Sequence, residues 1–219
     1  GGGYHLQRWV DHDLFVNSAG GRRVEIWPEG DPRRARAATG TPDENMEWDD
    51  PIISADGRWV ATPPAARGQV VIWDPRTAIV VKRLPESRRM GGDFSPDGRW
   101  LVLGSDQGYT LYDTKDWRAR TLGAVRLVDE YKGWAGFSPD GRWLALLTGS
   151  RTIELRDTVK FEPVIQLELT RGPGREEQAW SPDSTRLGIA SHGQMIYDWN
   201  LVALERELAA MGLGTTLGK

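Results

Sequence analysis

Short strand-length runs separated by turn-forming residues cover most of this chain, and the pattern predicts β-strands. A well-defined example lies within residues 90–122, where runs at 92–95, 100–104, 109–113 and 118–122 are separated by Pro, Asp, Gly and other polar positions. Runs of this length bounded by such breakers are typical of strands joined by tight turns. The stretch therefore predicts a meander of four antiparallel strands.

One turn phrase recurs along the chain. It reads SADGRWVA, FSPDGRWLV, FSPDGRWLA and WSPDSTRLG, and its serines, Ser54, Ser95, Ser138 and Ser181, are 41, 43 and 43 residues apart. A fixed period near forty residues indicates a repeat architecture. In such a turn Pro pre-sets φ, Asp bonds to nearby backbone and Gly accepts a positive φ. We therefore interpret the repeated aspartates as structural turn residues rather than calcium ligands; they are Asp56, Asp97, Asp140 and Asp183.

A second phrase marks the end of the third predicted strand of each unit. Its copies are Ile26-Trp27-Pro28, Ile72-Trp73-Asp74, Leu111-Tyr112-Asp113, Leu155-Arg156-Asp157 and Ile196-Tyr197-Asp198. There are five copies of this phrase and four of the serine turn, which predicts a degenerate first unit. Its strands are expected at residues 5–10, 14–18 and 23–27.

The phrase FSPDGRWL, followed by a strand that ends in IWD, resembles the WD-repeat β-propeller family in a divergent bacterial form. The Gly-His pair that opens a typical WD repeat is absent. The resemblance implies an all-β propeller with five four-stranded blades at about 4–40, 41–85, 86–126, 127–170 and 171–199. It also implies the C-terminal propeller of a larger chain, either as a compact five-bladed ring or as part of a seven- or eight-bladed one. Residues 1–3 are interpreted as a scar or linker.

Residues 200–212 break the strand pattern and predict a C-terminal amphipathic helix. Leu201, Leu204, Leu208 and Met211 recur at the spacing of one helical face, and Gly212 is a suitable end. Because this helix stands where a fourth strand is expected, we predict a three-stranded last blade covered by the apolar face of the helix.

Composition narrows the classes of partner. The net charge is −3 and the pI is about 5.7, so an electrostatic attraction to nucleic acid is not indicated. The chain has no cysteine, and its apolar runs are too short to insert into a membrane. These features indicate a soluble protein and leave its compartment open. We favour the cytoplasm, with a periplasmic or other extracytoplasmic location as the alternative.

No arrangement of residues points to catalysis. There is no G-x-S-x-G phrase, and the three histidines are His5, His12 and His192. The run Asp11-His12-Asp13 alternates faces on an extended chain, which argues against a metal site there. The sequence therefore predicts a protein without enzymatic activity, cofactor or bound metal.

The candidate partner surface lies in the connections between units. Loops on a rigid scaffold often carry function, and Trp, Tyr and Arg dominate many protein interfaces. We therefore predict a non-enzymatic protein-interaction scaffold. Two alternatives stay open: an assembly or regulatory module of a larger multi-domain bacterial protein, self-associating through blade edges or the helix, and ligand binding or catalysis in the central channel. The candidate partner-binding residues are Glu47, Trp48, Asp49, Arg88, Arg89, Tyr131, Lys132, Trp134 and Arg175.

Overall fold

Strands consecutive in sequence pair into antiparallel sheets along the whole described chain. The structure is a computed structural model that describes residues 4–10, 13–18, 23–28, 37–40, 51–62, 68–77, 79–85, 91–105, 108–122, 134–149, 151–170, 177–191 and 195–212. Within these residues there are four four-stranded sheets, one three-stranded sheet and one helix. The fold is therefore an all-β, propeller-like arrangement, as the strand pattern predicts.

The strand bounds follow the chain in order. The first sheet contains β1 (Tyr4–Val10), β2 (Asp13–Ser18), β3 (Arg23–Pro28) and β4 (Ala37–Gly40). The second contains β5 (Ile52–Ile53), β6 (Val60–Thr62), β7 (Val70–Asp74) and β8 (Ile79–Leu84). The third contains β9 (Gly92–Phe94), β10 (Trp100–Ser105), β11 (Gly108–Asp113) and β12 (Ala119–Thr121). The fourth contains β13 (Ala135–Phe137), β14 (Trp143–Leu147), β15 (Thr152–Asp157) and β16 (Pro163–Glu168).

The fifth sheet has three described strands and is followed by the helix. Its strands are β17 (Glu177–Trp180), β18 (Arg186–Ser191) and β19 (Met195–Asn200), and helix α1 spans Leu201–Ala210. Because a meander reverses at every turn, each serine turn lies at one end of its sheet and each connection to the next sheet leaves from the other end. We call these the turn end and the connection end.

The hydrophobic core lies between successive sheets. The second, third and fourth sheets each bury one set of side chains against the sheet before and the alternate set against the sheet after, as strand periodicity requires. In the fourth sheet, Leu144 and Leu146 pack towards the third, whereas Ala145 and Leu147 pack towards the fifth. Burial of an aliphatic side chain of this size stabilises the fold by about 1.5–3 kcal/mol.

An aromatic residue precedes three of the four turn serines, and it belongs to these inter-sheet cores. Phe94 packs between the second and third sheets and Phe137 between the third and fourth. Trp180 packs against the cluster between the fourth and fifth sheets. The first strands β5, β9 and β13 contact one another in order, so they form the inner row from which the sheets radiate.

Helix α1 packs on the fifth sheet through its first two turns. Leu201 is 3% exposed and Leu204 packs against the same core cluster, between the fourth and fifth sheets. The Asn200 side chain caps the helix by accepting from the Ala203 N–H at 3.0 Å. Met211 is 63% exposed, so the predicted apolar face contacts the sheet at its beginning but not at its end.

Strand register corrects one sequence alignment. Asp113 and Asp157 lie opposite Trp100 and Trp143, the residues after the turn arginine. In the fifth sheet Arg186 stands at the position of these two tryptophans, and it lies opposite Asn200, not Asp198. The third strand therefore ends in Asp198-Trp199-Asn200, and the interpretation of Ile196-Tyr197-Asp198 as the fifth copy of the strand-end phrase was wrong by two residues.

Candidate protein-interaction surface

The turn end is built from four copies of one hydrogen-bond unit. In each, the serine hydroxyl donates to the aspartate at 2.5–2.6 Å and accepts from a backbone N–H five residues later at 2.9 Å. The aspartate also accepts from the backbone N–H two residues on, at 3.0–3.1 Å. One carboxylate oxygen is thereby used for the turn itself. The four aspartates in these units are Asp56, Asp97, Asp140 and Asp183.

Turns of neighbouring sheets touch one another. A Cβ on Gly98 would lie 3.5 Å from a carboxylate oxygen of Asp56, and one on Gly141 would lie 3.8 Å from Pro96. The Asp140 N–H donates to the Ser184 hydroxyl at 2.9 Å. These contacts join the turns of the second to fifth sheets into one continuous, well-ordered row.

Aromatic pairs between neighbouring sheets also pack at the turn end. Trp117 and Phe161, each with a positive φ, pack edge-on against Trp59 and Trp100 of the preceding sheet, with ring centroids 5.9 and 5.3 Å apart. Between the fourth and fifth sheets, Leu204 of α1 packs against the core cluster that contains Trp143. The regularity of the turn end marks it as structural.

At the connection end, a buried tyrosine ties two sheets together. Tyr109 is the second residue of β11 in the third sheet and is fully buried. Its hydroxyl lies 2.6 Å from the Trp134 carbonyl and 2.7 Å from the Leu147 carbonyl. A hydroxyl has one proton, so it donates to these two acceptors of the fourth sheet in turn. Burial raises the pKa of the Tyr109 hydroxyl above its usual value. The sequence analysis places Tyr109 in a strand and gives it no other role. Its burial reveals the role, because a buried hydroxyl needs a hydrogen-bond partner.

Trp134 is the one candidate partner-binding residue within the described ranges. Its carbonyl also accepts from the Leu147 N–H at 3.0 Å, and its half-buried indole packs against the core between the fourth and fifth sheets. Trp134 therefore anchors the connection that enters β13 and leaves part of its ring exposed. The remaining candidates lie outside the described residues: Glu47, Trp48, Asp49, Arg88, Arg89, Tyr131, Lys132 and Arg175.

Polar side chains on the inner strands form hydrogen bonds to the inner strand of the neighbouring sheet. Asp93 of β9 accepts from the Phe137 N–H of β13 at 2.9 Å. Gln178 of β17 donates to the Ala135 carbonyl at 3.4 Å and lies over Gly136, where a Cβ would meet its amide. The sequence analysis assigns no role to Asp93 or Gln178, because the role of each depends on the adjacent sheet.

Within the part of the chain that the structure describes, no group of three His, Asp or Glu side chains could hold a metal ion. No helix in that part has the length and apolar character needed to cross a membrane.

Comparison with solved structures supports the propeller fold. The chain is similar to the β-propeller domain of Cps50 (Swd1) from Myceliophteria thermophila, with a TM-score of 0.66 and 13% sequence identity. The match covers 90% of this chain and 65% of that one, so this chain spans about two thirds of the length of the domain it matches. No protein-family model matches the sequence. No curated protein matches it either.

Proposed function

We propose that this chain is a divergent WD-type repeat protein, of a bacterial kind, that acts as a non-enzymatic scaffold for a protein partner. The observation that carries the proposal is the difference between the two ends of the sheets. At the turn end, short repeated turns are saturated with hydrogen bonds and packed against one another. The connections from each sheet to the next leave from the opposite end, and they include the two longest, residues 41–51 and 122–134.

A rigid frame under variable loops supports recognition of a partner. The Tyr109 hydroxyl and the Leu147 N–H both converge on the Trp134 carbonyl, where one connection enters β13. A loop whose root is fixed in this way loses little further entropy when its tip binds. The candidate tips add aromatic and arginine side chains, which are frequent interface anchors, within a mixed-charge rim. The proposed partner-binding residues are those of the connections, above all Trp48, Tyr131, Arg88 and Arg89.

Photo-crosslinking from the two ends tests this proposal. A photoreactive phenylalanine analogue replaces Trp48 or Tyr131 in the full chain, and a matched variant carries it at Val159, which is 88% exposed in a turn at the turn end. We expect one protein from source cells to crosslink at the connection end and not at Val159. With that protein purified, Trp48→Ala and Tyr131→Ala should each weaken binding roughly tenfold or more. Equal crosslinking at both ends, or unchanged affinity in both alanine variants, would contradict the proposal.

A further inference from the structure

The fifth sheet has one covered face and one open face. Leu187 and Trp199 pack towards the fourth sheet, whereas the alternate residues of β18 and β19 lie on the other side of the sheet. On that side Ile196 is 78% exposed, and the side chains of Arg186 and Asp198 are 50% and 45% exposed. We call this surface the outer face. Its members are Arg186, Gly188, Ala190, Ile196 and Asp198.

The corresponding face of the fourth sheet is apolar and covered. By register, Arg186 stands at the position of Trp143, and Asp198 stands at the position of Leu155. Trp143 and Leu155 are at most 3% exposed and belong to the core between the fourth and fifth sheets. The fifth sheet therefore has an arginine and an aspartate where the sheet before it has two buried apolar residues.

A following sheet of the kind found in this protein would not suit the outer face. The third and fourth sheets present apolar residues to the sheet before them, for example Leu101 of β10 and Leu144 of β14. Under such residues the Arg186–Asp198 pair would lose its water and gain no polar partner, and burial of an ion pair in this way is costly. The outer face is therefore better suited to an occupant that carries charges of its own.

A charged pair that does lie between two sheets shows what the occupant must supply. The side chains of Arg156 and Glu154 in β15 are 12% and 11% exposed, and Arg156 also donates to the Phe161 carbonyl at 2.9 Å. This buried pair thus has a further hydrogen-bond partner. In Arg186, Nε and Nη2 donate to Asp198. A guanidinium has five N–H groups, so Arg186 can also donate to a second carboxylate.

We propose that the outer face binds the outer face of a second copy of this chain. A two-fold axis that passes between Arg186 and Asp198 places the Arg186 of each copy against the Asp198 of the other, so the face is complementary to itself in charge. Ile196 and Ala190, which are opposite each other in register, add an apolar contact beside the two ion pairs. This surface consists of strand residues and is separate from the connections between sheets.

Light scattering of the full chain at increasing concentration tests the proposal. We expect the mass of the parent to rise from that of a monomer to that of a dimer. Ile196→Asp should weaken the dimer roughly tenfold or more, because it places an unpaired carboxylate in the interface. The matched control is Val159→Asp, at an aliphatic residue that is 88% exposed in a turn of the fourth sheet, and it should leave the dimer unchanged. Since both positions are exposed, the dilute monomers should keep the unfolding temperature of the parent.

Charge variants identify the surface that the outer face meets. Arg186→Asp leaves two aspartates on this face, and Asp198→Arg leaves two arginines. Each variant alone should stay monomeric where the parent is a dimer, because like charges then meet across the two-fold axis. An equimolar mixture of the two variants should form a heterodimer, because the aspartates of one copy meet the arginines of the other.

Three results would overturn the proposal. One is a parent chain that stays monomeric at every concentration, and another is an Ile196→Asp variant that dimerises as the parent does. The third is a mixture of Arg186→Asp and Asp198→Arg that stays monomeric. In that case the outer face meets a different surface of the second copy, because only contact between two outer faces brings the substituted residues together.

Discussion

The fourth and fifth sheets begin with nearly the same turn and end in different surroundings. Both turns join a serine hydroxyl to an aspartate two residues later, at 2.5 and 2.6 Å. The fourth sheet is then enclosed on both faces and completed by β16. The fifth is enclosed on the face towards the fourth sheet, and on its other face Arg186 pairs with Asp198 where the fourth sheet has Trp143 and Leu155. The turn phrase therefore fixes a local shape, and the neighbouring sheet decides what that shape buries.

The largest expected difference is between Ile153 and Ile196, which stand at corresponding register positions of β15 and β19. Ile153→Ala should destabilise the protein by about 2–5 kcal/mol, because it leaves a cavity between the fourth and fifth sheets. Ile196→Ala should change stability by no more than about 0.5 kcal/mol, since that side chain is 78% exposed. Urea unfolding of the two variants measures both values. Equal destabilisation would show that Ile196 is covered in solution, and the contrast between the sheets would then be lost.

The turn position after aspartate offers a second matched pair. Gly141 and Ser184 both adopt a positive φ, 71° and 60°, but only the serine bears the strain of a side chain there. Gly141→Ala should cost about 1–2 kcal/mol from backbone strain alone, because its Cβ would meet no atom closer than 3.8 Å.

Ser184→Gly should be close to neutral. It relieves strain and loses the hydroxyl that accepts from the Asp140 N–H at 2.9 Å. Ser184→Ala keeps the strain and loses the bond, so it should be the worse of the two by about 1 kcal/mol. Thermal unfolding of the three variants tests the order; a Ser184→Gly variant less stable than Ser184→Ala would show that strain is unimportant at this turn.

A smaller effect concerns the Tyr109 tie between the third and fourth sheets; the fifth sheet has Ile196 at the position that corresponds to Tyr109. Tyr109→Phe removes one shared hydrogen bond and should cost about 1 kcal/mol at neutral pH. Because burial raises the pKa of Tyr109, the neutral hydroxyl favours the fold. This stabilisation is fully present below the unfolded pKa of about 10 and is lost as the pH rises above it.

The difference in stability between the parent and Tyr109→Phe should therefore shrink above pH 10. Urea midpoints measured from pH 7 to pH 11 give the difference at each pH, with Tyr197→Phe as the control because the Tyr197 hydroxyl contacts Thr170 in an exposed hydrogen bond. A difference that stays constant across this range would contradict the assigned role of the buried hydroxyl.

The smallest expected effect is acid sensitivity of the fifth sheet. Hydrogen bonds from Ser181 and then Thr185 lower the pKa of Asp183, and the hydrogen bond from Arg186 lowers the pKa of Asp198. Both carboxylates stabilise the fold above the ordinary aspartate value of 3.8, and this contribution is lost as the pH falls from there through the lowered pKa. The carboxyl signals observed by NMR should titrate below pH 3.8, and Arg186→Gln should move the titration of Asp198 upwards. An unchanged Asp198 titration in that variant would exclude the ion pair as the cause.

Much of the fold could be predicted because its signals are local. The turn phrase contains the donor, the acceptor and the glycine that its own hydrogen bonds require, as at Ser95, Asp97 and Gly98. The helix after β19 also follows from sequence, since Leu201 and Leu204 share a face and Asn200 is a good cap. Of the candidate interaction surface, only Trp134 falls within the described residues, and the other candidates stay predictions.

The sequence by itself determined the repeat, the strand order, the turn chemistry and the presence of the helix, because each depends on residues close together in the chain. Tertiary structure alone decided that Asp198 lies two residues before the end of β19 and pairs with Arg186 on the exposed face, and that Tyr109 links two sheets. It also decided that Ile153 is buried and Ile196 is not. The physical reason is that register and burial depend on which strand pairs alongside and which sheet packs above, and neither partner is adjacent in sequence.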